Sequence, residues 1–295
     1  MLAPNGARAA IARLVRRLAD SVVRGARRAE NSPGPDNLHD LRVAVRRIRA
    51  VLDVLVYHLQ PTAAVLLTAD LKSITSATGP LRDADVRRAS LLPLIRDLPG
   101  IPADMKRDCA IRLEQARVDA RKALRASMRE TPWLDSVARI RTVAREPDLV
   151  LPVEIPLEEL LTQAIGRELA EIRRRMRRRR FGPRRLHRIR LRIRSMRYVL
   201  EAMSSLLDRS PGPLARILRR LQDSLGFAHD LTEAERLLAG DLLPRAAAAA
   251  IAAPLRIDAD RQVRRCRRKL RTLARDPPPE WRAWLAKPLS KSSGK

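Results

Sequence analysis

The sequence predicts an all-α fold, and three observations carry that expectation. Apolar residues recur at helical spacing along nearly the whole chain, alternation of β-branched residues is absent, and Pro or Gly clusters break the pattern about every 15 to 30 residues. In the first half the periodicity predicts helices near residues 7–30, 37–59, 62–78, 83–97 and 103–130. The second half repeats that order of long and short, near 157–180, 184–208, 213–225, 229–241 and 246–275.

Each element has its own signal. Helix 37–59 carries Leu41, Val45, Ile48, Leu52 and Leu55 on one stripe, as an amphipathic helix facing a core would. Helix 62–78 holds Leu71, Lys72 and Ile74, and Gly79-Pro80-Leu81-Arg82-Asp83 then reads as a helix stop, a tight turn and an acidic start for helix 83–97. Helix 103–130 places Arg117, Arg121 and Arg125 at four-residue spacing, and helix 246–275 places Arg261, Arg265 and Arg268 in a similar row. The span 146–156, with Pro147, Pro152 and Pro156, is the expected linker between repeat one (about 5–145) and repeat two (about 157–275). The tail 276–295, opening on three prolines, is expected to be flexible.

The halves are duplicates at the level of single residues. His39, Leu41, Arg42, Val45, Arg46, Ile48, Arg49, Leu52 and Asp53 reappear 148 positions later as His187, Ile189, Arg190, Ile193, Arg194, Met196, Arg197, Leu200 and Glu201. A second block, Leu71, Lys72, Ile74, Gly79 and Asp83, returns at an offset of 147 as Leu218, Arg219, Leu221, Gly226 and Asp230. At about 100° per residue, His39, Arg42, Arg46 and Arg49 share one arc of about 80°, beside the apolar stripe. Arg47 lies off both stripes, and its counterpart is Ser195. Duplication therefore preserved the cationic arc and let the other face drift. Asp53 and Glu201 fall inside the arc four residues after Arg49 and Arg197, where each can ion-pair with that arginine.

Charge points to the partner class. With 61 Lys and Arg against 33 Asp and Glu, the chain carries +28, a self-repelling excess that an anionic partner would relieve. From Arg167 to Arg197 there are fifteen basic and two acidic residues, which read as a general electrostatic funnel. Arginine outnumbers lysine, and its planar fork suits phosphate. Aromatic residues are only 2% of the chain, which argues against base stacking on single-stranded nucleic acid.

Other chemistries have little support. His39 and His187 lack the neighbouring ligands that zinc needs, leaving a structural hydrogen bond or a donor to phosphate as their open roles. Asp83 and Asp85 could be imagined as paired catalytic acids, but Thr232 stands where Asp85 would recur. Cys109 and Cys266 read as reduced, structural thiols. No run approaches the about 20 apolar residues of a membrane span, and the expected compartment is the cytoplasm.

The paired motifs, HDLRVAVRRIRA with GPLRDADV and HRIRLRIRSMRYVLE with LGFAHDL, resemble the conserved histidine α-helical domain (CHAD) family over about residues 5–275. The match departs at His229, where repeat one has Arg82, and at Thr232. The resemblance implies two tandem four-helix-bundle-like repeats related by a pseudo-twofold axis around a basic central channel that binds inorganic polyphosphate. It also implies a stand-alone, non-catalytic binder without cofactor or metal, since the Glu-x-Glu-x-Lys strand of a triphosphate tunnel domain is absent. Association with polyphosphate granules is part of the same implication. The expected ligand-binding residues are His39, Arg42, Arg46, Arg49, Lys72, Arg82, Arg117, Arg121, His187, Arg190, Arg194, Arg197, Arg219 and Arg265. The rival readings are a nonspecific nucleic-acid binder and a phosphoanhydride-processing enzyme.

Overall fold

The computed structural model describes residues 4–97, 102–153, 156–177, 183–206, 211–238 and 245–285. Eleven α-helices form among them: α1 (Pro4–Asn31), α2 (Pro35–Val54), α3 (Pro61–Ala77), α4 (Gly79–Arg96), α5 (Ala103–Ser127), α6 (Thr131–Val143), α7 (Leu157–Met176), α8 (Pro183–Met203), α9 (Gly212–Leu238), α10 (Arg245–Arg275) and α11 (Pro279–Leu285). Short 3-10 turns at Val56–His58 and Ser204–Leu206 follow α2 and α8. The one departure from helix-only pairing among the described residues is an isolated antiparallel bridge between Leu59 and Val150. No described helix is long and apolar enough to cross a membrane.

The apolar stripes do the work that their spacing foretold. Leu41, Val45, Ile48, Leu52 and Leu55 of the first copy are all buried, as are Ile189, Ile193, Met196 and Leu200 of the second. A single hydrophobic core runs from Ala7 in α1 to Trp284 in α11, and burial of this kind is the main source of stability. α2 packs against α1 and α8, α8 against α9, α4 against α5 and α9, and α10 against α9. The cationic arcs of α2 and α8 thus meet, with Arg194 close enough to Arg46 and Arg42 for their charges to act on it. Neither cysteine forms a disulfide, both are buried, and Cys266 Sγ donates to Ser224 O at 3.3 Å.

Four expectations need correction. Residues 131–143, left without an element, form α6, which covers α1 and α3. The tail does not fray from 276: α11 seats Trp281 and Trp284, both almost wholly buried, with α7 its main neighbour. The two helices expected at 213–225 and 229–241 are one continuous α9 through Gly226 to Leu238, beyond which 239–241 lie outside the described residues. In repeat one the corresponding junction breaks at Thr78, because Pro80 has no N–H to continue the ladder, whereas α9 has Phe227 in its place. Helix 37–59 stops at Val54, after which the chain turns through Val56–His58. The linker is tied down: Gln60 N donates to Leu149 O, Leu151 N to His58 O, and Arg8 to Val150 O and Pro147 O.

Candidate functional site

The site is built where α2 crosses α8. Arg42 is pinned by donating to Thr75 O (3.0 Å) and Thr78 Oγ1 (3.2 Å), at the α3–α4 junction. Burial first, then the nearby Arg46, lowers its pKa against the pull of Asp83. One turn on, Arg46 is half-buried and its Nε is sealed from water with no hydrogen-bond partner. Arg190 on α8 has the same orphaned Nε, beside Gly226 of α9, where an added Cβ would lie 4.0 Å away. Arg194 completes the row: burial, then Arg46, Arg190 and Arg42, push its pKa down to about 10. Like charges sharing a partly desolvated space oppose one another, and a buried guanidinium N–H without an acceptor leaves a desolvation cost uncompensated. The arrangement is electrostatically incomplete without an anion.

Beside this row a recess of about 500 Å³ opens between α2, α8 and α7. Arg46, Arg49, Arg192, Arg194, Asp53 and Glu168 are its charged walls. Arg192 donates to Glu168 at 2.8 Å. Asp53 is exposed at the recess yet crowded enough that desolvation pushes its carboxyl up, against Arg49 and Arg192.

A second group of charges lies on α4 and α5. The buried Asp85 stands among Arg117, Arg82, Arg121 and Arg88, and desolvation nevertheless raises its pKa. Arg117 is not available as an open cation: Glu114 grips it at 2.7 Å and Asp85 Oδ1 lies 3.9 Å away. Arg121 keeps a buried Nε without a partner. Among the described residues no three His, Cys, Asp or Glu side chains converge as a metal site would require.

The expected residues therefore divide. Arg42, Arg46, Arg49, Arg82, Arg190 and Arg194 lie on or beside the shared cationic row, and among the described residues none has a carboxylate within 4.0 Å. Arg121 stands with Arg82 among the cations around Asp85. Arg197 is instead neutralised: it donates to Glu201 at 2.5 Å and to Gln222 Oε1 at 3.0 Å and stacks on Tyr198 at 4.6 Å. Arg219 is exposed and bound to Glu201 at 3.3 Å. Arg47, off both stripes in the sequence, also reaches Glu201, at 3.9 Å. His39 and Lys72 are exposed and His187 is half-buried. The side chains of His229, Asp230 and Thr232 lie outside the described residues.

Arg265 is also exposed, and the position that matches Arg121 is Arg267, whose Nε is buried without a partner in the same way. The signal was present: Arg121-Lys122-Ala123-Leu124-Arg125 aligns with Arg267-Arg268-Lys269-Leu270-Arg271, and Leu124 and Leu270 are both buried. Four-residue spacing drew attention to Arg265 while the leucine register pointed to Arg267. Arg87 of α4 is a further half-buried arginine with an orphaned Nε, and Arg192 a recess residue, that sequence reasoning missed.

The CHAD domain family model matches residues 7–239. Among solved structures, PptA from Streptomyces chartreusis superposes with a TM-score of 0.68 over 90% of this chain and 98% of its own, at 18% identity. The CHAD domain from the plant Ricinus communis superposes at 0.61 over 96% of this chain and 92% of its own, at 22% identity. At these identities the likeness is one of fold. No curated protein sequence gives a significant match.

Proposed function

The chain belongs to the CHAD family, and from that premise and the chemistry of its central arginines we propose that it binds inorganic polyphosphate without catalysis. One observation carries the reading. Arg46 and Arg190 are half-buried with orphaned Nε groups, Arg42 and Arg194 are held beside them with lowered pKa values, and among the described residues no carboxylate pairs with any of the four. Elsewhere the fold pairs its arginines readily, as with Arg139 and Asp70 at 2.7 Å or Arg145 and Asp20 at 2.7 Å. The central arginines are left for an external anion, and a guanidinium fork binds phosphate oxygens in bidentate fashion.

A linear polyanion suits a row better than a single phosphate does. On this reading the chain follows Arg42, Arg46, Arg190 and Arg194, with Arg49 and Arg82 beside them, between two repeats arranged about a pseudo-twofold axis. Exposed cations, among them Lys72 and Arg265, supply long-range attraction. The same affinity would collect the protein on polyphosphate granules.

Replacing Arg42, Arg46, Arg190 and Arg194 together by Ala tests the assignment by fluorescence anisotropy with labelled polyphosphate. The expected result is loss of at least about a hundredfold in affinity, from four charge-assisted contacts, with helicity by circular dichroism unchanged. Unchanged affinity would remove these arginines from the site.

A further inference from the structure

Duplication makes two ends of the arc equivalent in sequence, and the fold makes them different. At one end Glu201 is fully engaged: Arg197, Arg219 and Arg47, from α8, α9 and α2, converge on its carboxylate at 2.5, 3.3 and 3.9 Å. An anion arriving there meets a carboxylate and cations already neutralised. At the other end stands Asp53, to which no described side chain donates a hydrogen bond, with Arg49 and Arg192 nearby. There the recess of about 500 Å³ opens, and Arg46, Arg49 and Arg194 face it with no carboxylate partner among the described residues.

The cause lies in two substitutions between the copies. Arg47 of α2 corresponds to Ser195, and Arg192 of α8 corresponds to Ala44. Arg47 helps to close the Glu201 end, whereas Arg192 is drawn aside by Glu168 at 2.8 Å and leaves Asp53 accessible.

Resting on the polyphosphate reading above, we propose that the recess between α2, α8 and α7 holds a terminal phosphate of the polymer, with Asp53 recognising the end group, so that the polymer is anchored by one terminus. An interior phosphate carries one charge and no proton, and a carboxylate beside it is purely repulsive. A terminal phosphate ionises a second time near neutral pH, at about 6. Until then it keeps an O–H, which donates to the Asp53 carboxylate while Arg46, Arg49 and Arg194 hold its other oxygens. One proton then lies between a phosphate oxygen and a carboxylate oxygen. No interior unit offers this contact. The Glu201 end, with its acid already saturated, cannot offer it either.

The test compares a linear polyphosphate of defined length with the same polymer whose terminal phosphates are blocked as phosphoramidates. Wild type should bind the open form about tenfold more tightly, the value of one charge-assisted hydrogen bond. Asp53→Ala should abolish that preference, and Glu201→Ala should keep it. Equal affinity of wild type for open and blocked polymer would overturn the anchor while leaving the polyphosphate reading standing. Loss of the preference in Glu201→Ala with its retention in Asp53→Ala would overturn the assignment of the end. Failure of wild type to bind either polymer would overturn the underlying reading itself.

Discussion

At Arg194 the fold holds a cation where burial and three neighbouring arginines all work against its charge. Removing that charge should therefore stabilise the free protein and weaken ligand binding. Arg194→Met keeps most of the volume, and exchanging a desolvated ion for an apolar side chain is expected to gain about 1 kcal/mol, or roughly 2 °C in Tm for a chain of this size. The pH dependence has a definite sign. Because the folded-state pKa is depressed to about 10, the unfolded chain binds more protons between there and the ordinary arginine value, so wild-type stability should rise with pH across that window. The Met variant should lack that rise. Calorimetry of both proteins with and without polyphosphate checks the trade: a variant less stable than wild type when free would show that Arg194 is structural. The helical angles made the arc legible, because spacing alone puts Arg42, Arg46 and Arg49 on one face. They also offered the pair of Arg197 with Glu201, which the structure forms, but not the further arginines that this carboxylate collects. The partners come from other helices, as Glu201 reaches Arg47 and Arg219, and their distances depend on tertiary contact.

Between elements, the least anticipated feature is the docking of the final helix. Trp133 in α6 and Trp281 in α11 stand 148 positions apart, the offset of the arginine block, and both are buried. α6 lies on α1 and α11 on α7, so the duplication extends to the last helix. That pair was visible in the sequence but sits in short, proline-led segments with little periodicity to announce them, and the DPPP run before Trp281 reads as a frayed tail. The copies differ in detail: Trp133 Nε1 donates to Glu30 at 2.6 Å, while Trp281 Nε1 is buried without a partner. Close approach of α11 depends on Gly166 in α7, where a Cβ would lie 2.9 Å from Trp284 O. Gly166→Ala sets two effects against each other. Alanine gains about 1 kcal/mol of helix propensity, but the clash with a backbone oxygen must lift α11 and expose Trp281 and Trp284, which together bury enough apolar surface to outweigh it several times over. The substitution should lower Tm in the full chain and raise it in a chain ending at Asp276. The same sign in both backgrounds would mean that α11 does not depend on that contact.

For the molecule as a whole, the decisive quantity is how many ion pairs binding forms, and salt reports it. Six arginines with no carboxylate partner among the described residues, Arg42, Arg46, Arg49, Arg82, Arg190 and Arg194, lie on or beside the row, in a protein of net charge +28. If each neutralises one phosphate of a flexible single chain, the log–log slope of affinity against salt should be about −4, at roughly 0.7 per contact. Removing four of them should reduce it to between about −1 and −2. A partner attracted only by diffuse surface charge would behave differently, since many exposed arginines remain after those four are gone. Duplex DNA is the informative comparison. It presents its phosphates on a stiff rod with a persistence length of about 150 bp, whereas Arg46 and Arg190 are half-buried, and a thin, flexible chain can approach their guanidinium groups more closely than a rod can. DNA should therefore bind through the exposed cations, with a salt slope that the four substitutions hardly alter, and polyphosphate at equal phosphate concentration should displace it. If DNA prevailed in that competition, or if its slope fell with the same four arginines, the central row would be serving a nucleic acid and the polyphosphate reading would be abandoned.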